Sequence, residues 1–449
     1  MKILMVSLGC DKNLCDSEAM LGLLHSNGYY ITNDENEADI IIVNTCSFIK
    51  DAMEESINTI IEMSKLKDKN LKYLIATGCL AQRFKDEMFD ELPEVDAIVG
   101  TSSFDKIIEV IKELEAKENN SENRIVKSDD INRLATVDTN KIITSGTFMG
   151  YLKIAEGCDK YCTYCVIPHI RGRYRSVPME KLIKEAEYMA KSGIKELVLV
   201  AQETTCYGMD LYGEKKLVDL IKEIALIDGI EWIRLMYCYP EEITDDLIDL
   251  FAEEKKLCHY IDMPLQHCED SILKRMGRRT DKQSIINVIE RFRKKVPDMA
   301  FRTSLITGFP GETEEEHQSL MEFINTYEFD RLGVFTYSRE EGTPAYNFDN
   351  QVDEELADRW RNEIMELQQD ISYDKNDELV GTVQKVIIEG YSSEEDVYVG
   401  RTFRDAPNVD GLVFVQCNYE LISGAIVEVK ITESAPYDLI GVIQDEFTE

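Results

Sequence analysis

Glu156-Gly157-Cys158-Asp159-Lys160-Tyr161-Cys162-Thr163-Tyr164-Cys165-Val166-Ile167-Pro168 is the stretch that decides how this chain is read. Its cysteines are spaced Cys-x3-Cys-x2-Cys, close enough for three thiolates to converge on one metal centre. An iron–sulfur cube held by three cysteines keeps one iron open for a substrate. A structural zinc site wants a fourth Cys or His nearby, and His169 is the candidate for that alternative. The stretch follows a strand-like run at residues 151–156, so it falls at a strand's carboxyl end, where barrel enzymes place their chemistry.

Working outward, further strand-like runs recur at residues 196–202, 232–237, 259–265, 301–308 and 332–337, separated by helical segments at 179–191, 244–254 and 314–326. Six strand–helix units between 142 and 374 fall short of the eight that close a full barrel, so a partial (β/α)6 TIM barrel is expected. Upstream, apolar runs at 3–8, 38–44, 73–77 and 95–99 alternate with helix-length segments, which predicts an α/β domain with an open parallel sheet over 1–116. Residues 117–141 are polar and read as a linker or extended hairpin. An amphipathic helix at 354–369 precedes short β-branched runs at 381–389, 397–401, 412–416 and 425–432. These predict a small all-β barrel over 377–445.

With 449 residues the chain is too long for a single core, consistent with these divisions. No apolar run is long enough to span a bilayer. The start, Met1-Lys2-Ile3-Leu4-Met5-Val6, reads as a buried strand rather than an export signal, so the expected location is cytoplasmic. There, twelve cysteines point to metal binding or catalysis instead of disulfides. A net charge of −36 repels phosphate backbones and attracts basic proteins.

Three further cysteines share a context. Cys10, Cys46 and Cys79 each follow an apolar run of the first domain, at the end of a parallel strand where open α/β sheets build their ligand sites. Gly9 and Gly78 precede two of them and permit tight turns. Three cysteines in equivalent places are better explained by a second iron–sulfur cluster than by packing. Cys15, Cys206, Cys238, Cys258, Cys268 and Cys417 form no ligand-spaced set and read as non-ligands, with Cys206 notable for its closeness to Glu203. His25 and His317 read as structural or solvated, whereas His267 is a candidate to line the barrel mouth.

The stretch around Cys158, Cys162 and Cys165 resembles the signature of the radical S-adenosylmethionine superfamily, whose fold is a six-unit partial barrel. The resemblance implies that the open iron chelates S-adenosylmethionine and that one electron breaks its sulfonium bond to give a 5′-deoxyadenosyl radical. It also implies cofactor contacts from Tyr164, from Gln202 and Glu203 in Val200-Ala201-Gln202-Glu203-Thr204-Thr205, and from Gln266 and Arg302. Ile306 lies in Leu305-Ile306-Thr307-Gly308-Phe309-Pro310, which resembles the turn that lines adenine; the alternative is an ordinary strand–helix turn capped by Thr313. Glu203 is the expected partner of the methionine amino group and the candidate catalytic residue.

Ser7-Leu8-Gly9-Cys10-Asp11-Lys12-Asn13, Asn44-Thr45-Cys46-Ser47-Phe48 and Ala76-Thr77-Gly78-Cys79-Leu80-Ala81-Gln82 are similar to the three cluster segments of the methylthiotransferases. That resemblance covers essentially the whole chain, including the terminal barrel, called TRAM. It implies two [4Fe-4S] clusters, with S-adenosylmethionine as both radical source and methyl donor. A low-potential electron donor and a sulfur donor are implied as partners. The family has a branch acting on transfer-RNA adenosine and another acting on an aspartate β-carbon in protein twelve of the small ribosomal subunit. Ser7-Leu8-Gly9-Cys10-Asp11-Lys12-Asn13 resembles the ribosomal-protein branch, as does Tyr174 in Arg171-Gly172-Arg173-Tyr174-Arg175-Ser176. Independently, residues 377–449 hold fifteen acidic side chains against Lys385, Arg401, Arg404 and Lys430, a poor cradle for nucleic acid and a good one for a basic protein. The expectation is therefore the protein substrate, with the transfer-RNA enzyme as the alternative. An iron–sulfur scaffold or electron carrier would leave the barrel and Glu203 without a purpose.

Overall fold

A computed structural model of the chain describes all residues except 117–123, 136, 138–139 and 444–449. Parts of the 117–141 and 377–445 expectations, including Asp445, lie outside the described residues.

The first layer is a six-stranded sheet of β1 (Lys2–Ser7), β2 (Tyr30–Ile31), β3 (Ile40–Thr45), β4 (Tyr73–Gly78), β5 (Ala97–Val99) and β6 (Ile125–Lys127), in the order β2-β1-β3-β4-β5-β6. Every pair is parallel. β3 is buried along its whole length because helices cover both faces, which is why it reads as a continuous apolar run. β6 lies inside the polar stretch that reads as a linker. Its pairing with β5 makes it the sheet's last strand, a contact that three residues of local pattern do not announce.

Next come β7 (Met149–Lys153) and a two-stranded ribbon of β8 (Ala155–Glu156) with β9 (Arg175–Ser176). Then follow β10 (Glu196–Val200), β11 (Trp232–Leu235), β12 (Leu257–Asp262), β13 (Ala300–Thr307) and β14 (Arg331–Thr336). The sheet order β14-β13-β12-β11-β10-β7 is parallel throughout and stays open, giving the partial six-stranded barrel. Alternation sorts its side chains. Leu197 and Leu199 of β10 pack against the outer helices, while Val198 and Val200 join Tyr151, Trp232 and Tyr260 inside. Cys15 from the first domain, and Ile387 and Ala406 from the last, complete that inner cluster. Neighbouring domains thus fill the interior that missing strands would otherwise occupy.

The helix Glu354–Asp377 runs two turns beyond the amphipathic 354–369 stretch. Its polar extension is held by tertiary contacts: Asn376 Nδ2 donates to the Ala435 carbonyl at 3.0 Å. It leads to a closed barrel of β15 (Val383–Ser392), β16 (Val397–Arg401), β17 (Val413–Gln416), β18 (Ile426–Ser434) and β19 (Leu439–Ile443), in the order β15-β16-β17-β19-β18. β19, absent from the sequence reading, closes it by pairing with β17 and β18.

The terminal barrel is anchored by a buried ion cluster. Glu196 accepts from Arg234 Nε at 2.7 Å and from Arg401 Nη2 at 2.5 Å, and all three side chains are fully buried. Burial opposes ionisation of Glu196, but Arg401 and Arg234 outweigh it and hold its carboxyl at about 2. The folded value lies below the ordinary one near 4.5, so the stabilisation is complete above that pH and is lost as pH falls towards 2. Glu196→Gln, which strands two buried guanidiniums, is expected to cost about 3 kcal/mol or more. Urea unfolding followed at the terminal barrel checks this, with the gap between parent and variant closing as pH drops from about 4.5 to about 2.

Candidate active site

Cys10, Cys46 and Cys79 converge at the carboxyl ends of β1, β3 and β4. Gly9 has φ +82°, and a Cβ there would come within 2.6 Å of Cys46 Cβ. Gly78 has φ +90°, and a Cβ there would fall 2.3 Å from Asn44 Oδ1. Only glycine lets these turns pass so close, which brings Cys10 and Cys79 towards Cys46. Asn13 ties the three segments together. Its Nδ2 donates to Leu8 O at 3.0 Å and Thr45 O at 2.9 Å, and its Oδ1 lies 3.8 Å from Cys79 Sγ. Asn44 Nδ2 returns a bond to Asn13 O at 2.8 Å.

Cys158, Cys162 and Cys165 occupy the loop after β8. The Cys158 N–H donates to Gly172 O at 3.1 Å, Thr163 N–H to Met276 O at 2.9 Å, and Ala345 N–H to Thr163 O at 2.9 Å. The loop is therefore stapled from three sides. Tyr239 Oη lies 4.0 Å from Cys162 Sγ, and the Arg278 guanidinium stacks 4.2 Å above the Tyr239 ring. Arg278 is buried, donates from Nη2 to Pro264 O at 2.8 Å, and leaves Nε and Nη1 without a hydrogen-bond partner among the described residues.

Burial pushes the Cys158 and Cys79 thiols up to about 12 each, and raises Cys46 and Cys165 as well. Thiols packed together in so dry a setting ionise readily only when cations sit among them. Both triads therefore fit iron–sulfur clusters: sulfur donors, three per site, on rigid strand ends or a pinned loop.

Of the other residues singled out in the sequence, Glu203 is buried, accepts from the Thr205 N–H at 2.8 Å, and faces Lys160 Nζ at 3.5 Å. Burial raises its carboxyl above the usual range despite Lys160. Cys206, Glu242 and Glu203 bring ligand atoms within 4.8 Å of one another. Gln202 braces the three-cysteine loop: its Oε1 accepts from Gly157 N–H at 2.8 Å, and its Nε2 donates to Glu156 at 2.9 Å. Tyr164, Ile306 and Phe309 share one apolar patch, and Gln266, with φ +71°, bonds through its carbonyl to Ile306 N–H at 2.9 Å. Arg302 stands apart from this group. It pairs with Asp262 at 2.7 Å and Asp410 at 3.4 Å, turned to the terminal barrel. His267 is fully buried against Glu312 at 3.2 Å, and His317 stacks on Trp360, so both side chains are packed inside the fold. His25 is exposed.

Asn13, Arg171 and Arg278 were not assigned roles from sequence. Asn13 and Arg171 lie within the quoted motifs, but their partners are remote in the chain. An arginine next to Gly277 carries no local signal.

A partial barrel with a three-cysteine loop at a strand's end, beside a second three-cysteine site on a parallel sheet, defines an iron–sulfur radical enzyme. Family models match in that order: the uncharacterized protein family UPF0004 over residues 2–100, the radical SAM superfamily over 152–324 and the TRAM domain over 380–443. Among solved structures, a radical S-adenosylmethionine methyltransferase, TsrM, from Kitasatospora setae shares the fold, with TM-score 0.57 and 14% identity, over 86% of this chain and 80% of that one. The ribosomal protein uS12 methylthiotransferase RimO of Lachnoclostridium phytofermentans is 55% identical, covering 99% of this chain and 100% of the relative. That of Acetivibrio thermocellus is 51% identical, covering 99% of each. The chain belongs to this methylthiotransferase family, and is a radical S-adenosylmethionine enzyme that uses [4Fe-4S] clusters. No helix among the described residues is long and apolar enough to cross a membrane.

Proposed function

We propose that this enzyme attaches a methylthio group to the β-carbon of an aspartate in ribosomal protein uS12, in the cytoplasm, with a low-potential electron donor and a sulfur donor as partners. The observation that carries the choice of substrate is the charge of the terminal barrel. Arg401 is consumed internally by Glu196 and Glu389, and Arg404 by Asp330. Only Lys385 and Lys430 remain as exposed cations on its described residues, against exposed Glu394, Glu395, Asp396, Glu420, Glu428 and Glu433. Such a surface repels a phosphate backbone and steers in a basic protein.

When bound, the clusters and S-adenosylmethionine supply one-electron bond cleavage, hydrogen abstraction, sulfur and a methyl group. The chain supplies positions. Cys158, Cys162 and Cys165 hold one cluster and Cys10, Cys46 and Cys79 the other. Glu203 offers a carboxylate to an amine, Arg278 offers two N–H groups to an anion, and the Tyr164–Ile306 patch gives a ring an apolar face to lie on. Incubating the reconstituted, reduced enzyme with uS12 and, separately, with transfer RNA tests the assignment by mass spectrometry. One methylthio group replacing hydrogen is expected on uS12 alone, and modification of RNA alone would overturn the proposal. Binding of uS12 should also weaken as salt rises.

A further inference from the structure

Arg171 is a fully buried arginine that touches both halves of the machinery. Its Nη2 lies 3.6 Å from Cys79 Sγ and also donates to Asn13 Oδ1. Its Nη1 donates to Asp16 at 2.8 Å and to Glu156 at 3.1 Å, two residues before Cys158. The next residue, Gly172, accepts the Cys158 N–H through its carbonyl. One dipeptide thus holds a cysteine of each triad, by side chain on one side and by main chain on the other.

We propose that Arg171 is a positioning residue for the cluster at Cys10, Cys46 and Cys79. It donates an N–H to the Cys79 sulfur and, by its charge, raises that cluster's reduction potential. This rests on the assignment of those three cysteines as cluster ligands. Hydrogen bonds to sulfur and nearby charge are main determinants of cluster potential. The sign follows from the local charges. Arg171 and Lys153 together balance Asp16 and Glu156, with Lys153 pairing to both carboxylates. Removing the guanidinium leaves a net negative pocket beside the sulfur, which disfavours adding an electron. A link serving only to pack the domains would not make the potential follow the charge.

The test uses the full chain with Cys158, Cys162 and Cys165 replaced by Ala, so that only one cluster remains. Iron quantitation comes first: if about four irons are not bound, the ligand assignment itself has failed. With iron bound, Arg171→Gln should lower the potential by at least the equivalent of a tenfold change in the reduction equilibrium, about 59 mV for one electron. Arg171→Lys, keeping the charge, should recover most of that. An unchanged potential in an iron-loaded Arg171→Gln protein overturns the proposal. Should that variant fail to fold, the unaltered arginine decides the matter. Protein labelled with guanidino-15N arginine should show a 15N hyperfine coupling to the reduced cluster in pulsed paramagnetic resonance, and its absence is equally fatal.

Discussion

Replacing Cys158, Cys162 and Cys165 together with Ala is expected to remove about half of the roughly eight irons of the reconstituted enzyme and to abolish reductive cleavage of S-adenosylmethionine. The size of the effect follows from the loop. Three sulfurs enter from one short segment, and the segment is held by main-chain bonds to Gly172, Met276 and Ala345, none of which involves a cysteine side chain. The loop should therefore keep its path in the variant and lose only its donors. Buried cysteine also behaves as a small apolar residue, so Ala at these positions disturbs packing little. Iron quantitation and 5′-deoxyadenosine formation measure the two effects. Persistent 5′-deoxyadenosine would mean that the radical site lies elsewhere.

The second large effect separates the two sites. With Cys10, Cys46 and Cys79 replaced by Ala, iron should again fall by about half and the methylthiolated product should disappear. Cleavage of S-adenosylmethionine should continue, because these cysteines belong to a sheet with its own cores on both faces. Arg171 keeps Asp16, Glu156 and Asn13 as partners when Cys79 is lost, so the junction with the partial barrel should survive. Product analysis by mass spectrometry beside 5′-deoxyadenosine assays checks the split. Loss of both activities at once would show that the cluster sites are not separable in this way.

The terminal barrel illustrates how far charge counting reaches. Its acidity was visible in the residue counts, but its four cations were not equivalent. Folding buries Arg401 and pairs Arg404, and it likewise draws Glu389, Asp405 and Asp410 into ion pairs, so the exposed surface keeps its acidic excess. Arg302 went the other way. Its position on a barrel strand marks it for the mouth, yet Asp410 from the terminal barrel pairs with it there. A side chain's direction depends on which charge arrives opposite, and Asp410 arrives from over a hundred residues downstream.

What the sequence alone determined is everything written in short range. Periods of two and of 3.6 residues mark the strands and helices, three cysteines in eight residues mark a candidate cluster loop, and Cys10, Cys46 and Cys79 each announce themselves by ending a strand. The tertiary structure alone decided what surrounds those cysteines. Arg171 meets Cys79 across 92 residues, and Arg401 meets Glu196 across 205. β6 and β19 became strands only because partners were waiting for them. Local pattern records how a segment buries its own apolar face, whereas a buried ion pair or a shared turn exists only once two distant segments have been brought together. Hence the candidate ligand cysteines were legible, and the cation set against one of them was not.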